Sequence, residues 1–588
     1  MVFSSLLPPI DIPGVNLVDF VFGECEKHVS SADHPVFTDS ASGVSISLSE
    51  LRSQTLRLAS GLQKSCSIGT GDVVAIFAAN SIIYPIAAYA IVTAGATCTP
   101  ANPTYTAQEL AHQLSNSRCK AVIVGDGLRE TAVQALKIAK HPVEHILLMD
   151  ESRTGASGTI FDVMDAEMPK DFFRRQAAEP GIDYTQLPAY MCYSSGTTGK
   201  PKGVVLTHRN MIANALQING VKKLDAPRAH ARDVFLGLAP FCHAYGLSYV
   251  LHSSVSLGGT VVVMAKYSFE SFLAVIQRYR VTYGYLVPPI VCALSKDPRV
   301  DSYDLSTMAT VLSGGAALSP TLIEATEQRL PGTKIVQGYG MTEMSPAITM
   351  LATVHSNAAS IGMLMPGCDA MIIDDEGREL PENSPGELCF RGPNIMARYW
   401  NNAEATRDIL DADGFLHTGD IGYIDSEGFF YITDRKKELI KYKGFQVAPS
   451  ELEGLLAEHP DVEDAAVMAV YDDNQATEIP RAYIVLKDKN GGNEDGNGDD
   501  LARGQVVVDW LHERVARYKR LRGGFAIIDH IPRSPAGKII RNSIRNIERV
   551  PGSSVLPSSK SQGIASSSLS SDSAGTASDT SSTTVVLA

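Results

Sequence analysis

The amino-acid sequence predicts an α/β fold: a large N-terminal domain of α/β subdomains with mixed sheets, followed by a small α+β C-terminal domain. Strand-like apolar runs alternate with helical segments through residues 1–433, which implies parallel strands covered on both faces. Glycine-rich turns follow several of those runs, at the strand ends where α/β folds bind phosphates. After Asp434 the elements become shorter and more charged, marking a second unit. A chain of 588 residues exceeds what one hydrophobic core supports, and its 44% apolar and 20% charged content is that of ordinary globular cores.

VVAIFA, AVIVGD and HILLMD read as buried strands, with a helix around Pro85–Gly95. The uncharged stretch Val73–Gln108 is the most membrane-like part of the chain. Asn80, Ser81, Pro85, Gly95 and the segment TPANPT cut it into pieces shorter than the about 20 residues a span requires, so no membrane span is expected. From Ala189 to Thr433 the alternation continues, with glycine-rich turns at Ser194–Gly203, Ser313–Ala317 and Gln337–Met341. The small domain is expected at 438–545. In SELEGLLAEHP, Ser450 is the expected N-cap, Glu453 completes a capping box, and Pro460 lies beyond the helix end. AAVMAVY and RAYIVL read as strands, NGGNEDGNGDD (490–500) as a polar loop, and VVDWLHERVARYKR as a helix. The serine-rich stretch 546–588 has too little apolar surface to fold and is expected to be a disordered tail.

A formal charge of −14 speaks against nucleic acid as a partner, since phosphate neutralisation needs a concentrated basic surface. Anionic ligands must then be held by local groups. Nine cysteines stand singly, without CxxC pairs or histidine clusters at metal-ligand spacing, which fits reduced thiols. The N-terminus has no basic n-region or apolar h-region, and the terminal VVLA is not an SKL-type address; a cytoplasmic location is expected.

The segment YSSGTTGKPKGVVLTH places Ser194, Ser195, Thr197 and Thr198 among Gly196, Gly199 and Gly203, followed by Lys200 and Lys202. Glycines let backbone N–H groups approach an anion, hydroxyls donate further hydrogen bonds and lysines neutralise charge. It is not a Walker A loop, because Pro201 follows Lys200 where Ser or Thr is required.

Six ordered segments make this chain resemble the adenylate-forming superfamily of acyl-CoA synthetases, adenylation domains and luciferases, and within it the 4-coumarate–CoA ligase-like branch. They are SSGTTGKPKG, QGYGMTE, GELCFRG, HTGDIGYID, DRKKELIKYKGFQVAPSELE and IPRSPAGKIIR, spread over residues 193–541. The resemblance implies an ATP-dependent acid–thiol ligase with ATP, Mg²⁺ and coenzyme A as cofactors, acting on an aromatic, hydroxycinnamate-like or medium-chain aliphatic acid, with a place in secondary metabolism. It also implies a monomer or weak homodimer. Making an acyl-adenylate requires positive charge where a carboxylate meets the α-phosphate, and Lys538 matches the lysine that the family uses there.

By the same resemblance, Asp420 accepts hydrogen bonds from the ribose hydroxyls, Arg435 assists at ribose or phosphates, and Gln337, Gly338 and Tyr339 wall the adenine and acyl groups. Thr342 touches the α-phosphate and Glu343 ligates Mg²⁺. The resemblance also places a hinge at 434–437 and implies a mobile small domain that rotates between half-reactions about Lys437. Lys441 and Gln446 match residues of the adenylation state; Lys443 and Gly444 match those lining the coenzyme A tunnel, and Lys266 matches a further phosphate contact. His243 in LAPFCHAYGLSY matches a residue that lines the acid pocket and gates it for the thiol, without an acidic neighbour in the motif to make it a nucleophile's base.

The acyl group is expected against Tyr245, Tyr249, Gly315, Gly338, Gly340, Pro346, Ala347 and Met350. Tyr249 stands where the plant hydroxycinnamate enzymes carry a serine, and Gly315 where they carry an alanine. None of these residues is charged, so an uncharged tail is expected. A competing reading keeps adenylation but sends the acyl group to a carrier-protein thiol, in trans because no carrier domain follows residue 545. A non-catalytic scaffold would lack one of the key charges, yet Lys538, Asp420 and Glu343 are all present.

Overall fold

A computed structural model describes residues 1–149, 158–165, 183–194, 201–224, 233–316, 318–355, 357–435, 438–442, 445–472, 477–487, 497–534, 537–541 and 543–544, with backbone only at 434, 435, 441, 445, 446 and 497–499. The expected tail, 546–588, and residues 195–200 of the glycine-rich loop lie outside the described residues.

The large lobe is built on three sheets. In the first, eight strands run in the order Arg398–Tyr399, Lys202–Thr207, Pro188–Ser194, Thr97–Ala101, Val73–Phe77, Ala121–Val124, His145–Leu148 and Gly158–Thr159. Its centre is parallel and its strands Val73–Phe77 and Ala121–Val124 are wholly buried, which is why they read as unbroken apolar runs. The uncharged stretch from Val73 folds as strand, helix Tyr84–Thr93, strand Thr97–Ala101 and the start of helix Ala107–Ser117. No helix among the described residues is long and apolar enough to cross a membrane.

The second sheet has nine strands, ordered Met363–Leu364, Ala347–Met350, Lys334–Gly340, Thr310–Ser313, Tyr283–Leu286, Val234–Gly237, Thr260–Val263, Pro35–Asp39 and Ser45–Ser47. The five strands from Lys334–Gly340 to Thr260–Val263 are parallel. Their carboxyl ends therefore share one edge, and the loops after them face one cleft. The third sheet is antiparallel and ends in the hairpin Leu416–Ile424 and Phe430–Arg435. That last strand runs through Asp434 and Arg435, so the first half of the expected hinge is strand.

The small lobe holds the hairpin Ile440–Tyr442/Phe445–Val447, the strands Val462–Asp472, Thr477–Leu486 and Phe525–Ile527, and the helices Pro449–Glu458 and Asn497–Arg514. Two expectations are corrected here. Pro449, whose fixed φ suits the first helical position, starts the helix before Ser450, so Ala448 is the N-cap and makes no side-chain cap. Ser450 donates instead to the Thr433 carbonyl, and Glu453 accepts from the Val467 N–H at 2.8 Å and from Arg541 at 2.7 Å. The second correction is that helix Asn497–Arg514 begins inside the stretch read as polar loop and stops at Arg514, short of the expected end.

The lobes meet along helix Pro288–Lys296 of the large one. Lys296 Nζ donates to the Ala457 carbonyl at 2.6 Å, capping the end of helix Pro449–Glu458.

Candidate active site

The carboxyl edge of the second sheet gathers most of the residues singled out in the sequence. His243 and Tyr245 follow the strand Val234–Gly237, Lys266 follows Thr260–Val263, Gly315 follows Thr310–Ser313, and Gly338, Tyr339 and Gly340 end Lys334–Gly340. Thr342 opens a 3₁₀ turn, Thr342–Met344, that carries Glu343 inward.

Glu343 is 3% exposed, and its Oε1 accepts from the Ser194 hydroxyl at 2.8 Å and from Tyr399 at 2.7 Å. Two hydroxyl donors on one oxygen fix the carboxylate beside the entrance of the glycine-rich loop. Lys202, across the strand pair from Ser194, lies with its ammonium 4.9 Å from the centre of the Tyr399 ring. Tyr399 is absent from every motif. It lies in the short strand Arg398–Tyr399, and the antiparallel pairing Val204↔Tyr399 brings it in.

Asp420 is buried in the strand Leu416–Ile424, and the Tyr339 hydroxyl donates to its Oδ2 at 2.5 Å. Arg435 pairs with Asp420 across the strands. Gln337 is braced rather than open. It is 5% exposed, its carbonyl oxygen accepts from the Leu318 N–H at 3.0 Å, and its amide nitrogen donates to the Ala358 carbonyl at 2.9 Å. Its role in this structure is to tie the loop after Thr310–Ser313 to the strand that carries Tyr339.

Two neutral groups line the cleft next to them. His243 opens onto the cleft yet is surrounded at depth by protein, which lowers its pKa to about 4; its Nδ1 accepts from the Tyr245 N–H at 3.3 Å. The imidazole is therefore neutral at pH 7 and a poor base. Tyr245 donates to the Leu312 carbonyl at 3.0 Å and stands edge-on to Tyr249, ring centres 5.0 Å apart. Gly315 has φ +88°, a conformation in which an alanine would be strained. Pro346 follows a cis peptide bond, Gly340 lies against the Pro346 carbonyl, and Ala347 and Met350 are buried in the next strand.

The loop of the small lobe that bears Lys538 is seated on this edge. Gly537, at φ +79°, sits where an added Cβ would lie 3.2 Å from Val287, the residue after the strand Tyr283–Leu286. Arg533 shapes the loop: it makes a two-point ion pair with Asp464 (2.9 and 2.7 Å) and donates to the Gly537 carbonyl at 2.7 Å. The Ser534 N–H donates to the Lys538 carbonyl at 2.8 Å, closing the turn. Arg533 and Val287 were not legible as site residues, because each acts on the backbone of the loop.

Some expected residues are not brought in. Lys266 is exposed in the turn beyond its strand. Lys441 and Gln446 are backbone partners in the hairpin of the small lobe. Ser195, Gly196, Thr197, Thr198, Gly199, Lys200, Lys437, Lys443 and Gly444 lie outside the described residues. The fold also joins Cys389 and His417 from separate motifs, with Sγ 3.4 Å from Nδ1; His417 Nε2 lies 3.3 Å from Asp411, so both ring nitrogens are engaged within the protein.

Residues 26–400 match the AMP-binding enzyme family, and residues 451–538 match the AMP-binding enzyme C-terminal domain. The chain is 38% identical over 555 residues to 4-coumarate–CoA ligase 3 of Arabidopsis thaliana, covering 92% of this chain and 93% of that one. It is 37% identical over 570 residues to 4-coumarate–CoA ligase-like 9 of Oryza sativa subsp. japonica, covering 93% and 95%. Among solved structures, ATP-bound MatB from Rhodopseudomonas palustris superposes with a TM-score of 0.76 at 25% identity, covering 91% and 99%. The anthranilate CoA ligase AuaEII with anthranoyl-AMP shares the fold, with a TM-score of 0.78 at 23% identity over 91% and 98%.

Proposed function

We propose, because the chain belongs to the AMP-binding enzyme family and to its 4-coumarate–CoA ligase-like branch, that it is an ATP-dependent acid–CoA ligase. As an acid–thiol ligase it joins a carboxylic acid to AMP with release of pyrophosphate, then passes the acyl group to the sulfur of coenzyme A. The observation that carries this reading is the seating of the Gly537–Lys538 turn at Val287, on the same sheet edge as His243, Tyr245 and Thr342. A lysine delivered beside the uncharged groups His243 and Tyr245 is what the first half-reaction needs, since two anions must approach there.

We assign Lys538 to bridge the acid's carboxylate and the α-phosphate, and Thr342 to contact the α-phosphate. Asp420 holds the ribose, with Oδ2 shared by Tyr339. Neutral His243 lines the acid channel without taking a proton. Mg²⁺ fits at Glu343, whose two hydrogen bonds among the described residues both fall on Oε1 and leave Oε2 for a cation. When bound it neutralises phosphate charge. Coenzyme A is the proposed acceptor over a carrier-protein thiol, on the strength of the relatives named above. We take the working form to be a monomer or weak homodimer in the cytoplasm, where nine unpaired cysteines would stay reduced.

ATP–pyrophosphate exchange with a panel of carboxylic acids, followed by mass detection of the thioester, tests this. Exchange together with a coenzyme A thioester is expected. Exchange without any thioester would move the chain to the carrier-loading reading, and no exchange with any acid would sink adenylation itself.

A further inference from the structure

Two neighbouring strands of the third sheet, Gly386–Arg391 and Leu416–Ile424, bring together a carboxylate, a sulfur and an imidazole that the ligase reading does not use. Cys389 and His417 are directly paired across the strands, and Glu387 stands two residues before Cys389. The pairing jumps from Glu387↔Ile421 to Cys389↔His417, which folds the extra residues into a bulge at Thr418–Asp420. One ligand atom from each of Glu387, Cys389 and His417 lies within 4.8 Å of the other two, and Cys389 Sγ is 3.4 Å from His417 Nδ1. Sulfur and nitrogen bound to one tetrahedral zinc ion, at ~2.3 and ~2.0 Å from it, stand about 3.5 Å apart.

A second carboxylate orients the imidazole. His417 Nε2 lies 3.3 Å from Asp411 Oδ2, and Asp411 is itself fixed, because its Oδ1 accepts from the Asp413 N–H at 3.0 Å and from the Phe415 N–H at 2.8 Å. With the Nε2 proton directed at Asp411, Nδ1 turns its lone pair towards the sulfur, as in a carboxylate–histidine–metal arrangement. The proton in the sulfur–nitrogen contact is then the thiol's. Glu387 is steadied inside the same bulge, its Oε1 accepting from the Gly419 N–H at 3.1 Å. Cys389 is buried, while Glu387 and His417 are half-buried, which leaves an ion a way in past those two side chains.

We propose that Glu387, Cys389 and His417 form a binding site for a divalent cation of the zinc class, with Asp411 as the histidine's outer partner. The ion takes the place of the thiol proton, which passes to solvent; it bonds Cys389 as the thiolate, His417 through Nδ1 and Glu387 through a carboxylate oxygen, and water fills the fourth position. A mixed sulfur, nitrogen and oxygen set selects zinc over magnesium, so this site is separate from the one assigned at Glu343. Because its ligands come from both strands beside the bulge that presents Asp420, the bound ion clips that bulge and stabilises the fold.

The test uses the untagged full chain, stripped with a chelator and dialysed. Zn²⁺ is expected to bind at one equivalent per chain and to raise Tm, and Co²⁺ in its place to show the near-ultraviolet sulfur-to-cobalt charge-transfer band of a thiolate ligand. Cys389→Ser should abolish that band, His417→Gln should abolish zinc binding at the same concentration, and Asp411→Asn, which keeps the Oδ1 acceptor, should weaken zinc binding about 10–100-fold. Melting curves without metal show which variants fold; His417→Gln and Asp411→Asn, which leave the thiol in place, carry the test where Cys389→Ser does not. Failure of the parent chain to bind zinc, cobalt bound without the band, a band that Cys389→Ser leaves unchanged, or a zinc affinity that His417→Gln and Asp411→Asn do not alter overturns the proposal.

Discussion

The two walls of the cleft are built in opposite ways. The acid side is a stack of buried tyrosines pinned from behind by Lys222, whereas the side that brings Lys538 is a half-exposed turn held by polar braces and seated on one valine through one glycine. The first is buried and closely packed. The second is made of polar and charged groups, Arg533 paired with Asp464 and bonded to the Gly537 carbonyl. The contrast teaches that the tyrosine wall depends on close packing, whereas the placement of Lys538 depends on a few polar bonds and one glycine.

The sharpest way to break the contrast is to remove the charge the turn delivers. Lys538→Ala is expected to lower adenylate formation by about 10²–10³-fold, with far less effect on thioester formation from supplied acyl-adenylate; equal loss in both steps would contradict its assigned role. Gly537→Val spoils the seat by steric contact with Val287 and by strain at φ +79°. It should cost about tenfold or more in adenylation, again sparing the second step. Arg533→Met removes the pair to Asp464 and the bond to the Gly537 carbonyl. About 1–3 kcal/mol of stability is expected to go with it, together with a smaller drop in adenylation.

The smallest effect belongs to the packed side. His208 and His252 are fully buried and their pKa values are lowered by burial to about 3, from an ordinary 6.5. Both are neutral in the folded chain while the unfolded chain takes up protons below about pH 6.5, so stability falls as pH drops from 6.5 towards 3. Urea midpoints measured across that window should decline, and His252→Gln should flatten the slope. A slope unchanged in that variant would remove His252 from the account.

Legibility in the sequence followed the range of the interaction. VVAIFA, AVIVGD and HILLMD were readable because burial on both faces writes itself as a local apolar run, and the six motifs were readable because backbone and ligand demand particular residue types at close spacing. What could not be read joins distant positions. Tyr399 reaches Glu343 across 56 residues, Lys222 reaches Tyr285 across 63, and Arg533 reaches Asp464 across 69. Gln337 was legible as a motif residue but not as a brace, because its partners are backbone groups of other loops. At Ser450 a local rule misled, since the proline before it set the helix start.

Tyr249, edge-on to Tyr245 in the cleft, is carried by the π-helix Gly246–Ser254. Its backbone bonds span five residues instead of the four of an ordinary α-turn, and the Ser254 hydroxyl adds a side-chain bond to the Tyr249 carbonyl at 2.9 Å. Loss of a single residue there would let the segment relax to α-geometry and swing Tyr249 around the axis by roughly 100°. For a lineage of such ligases, an in-frame deletion of one codon would thus re-aim an aromatic wall of the cleft without altering any side chain assigned to the chemistry.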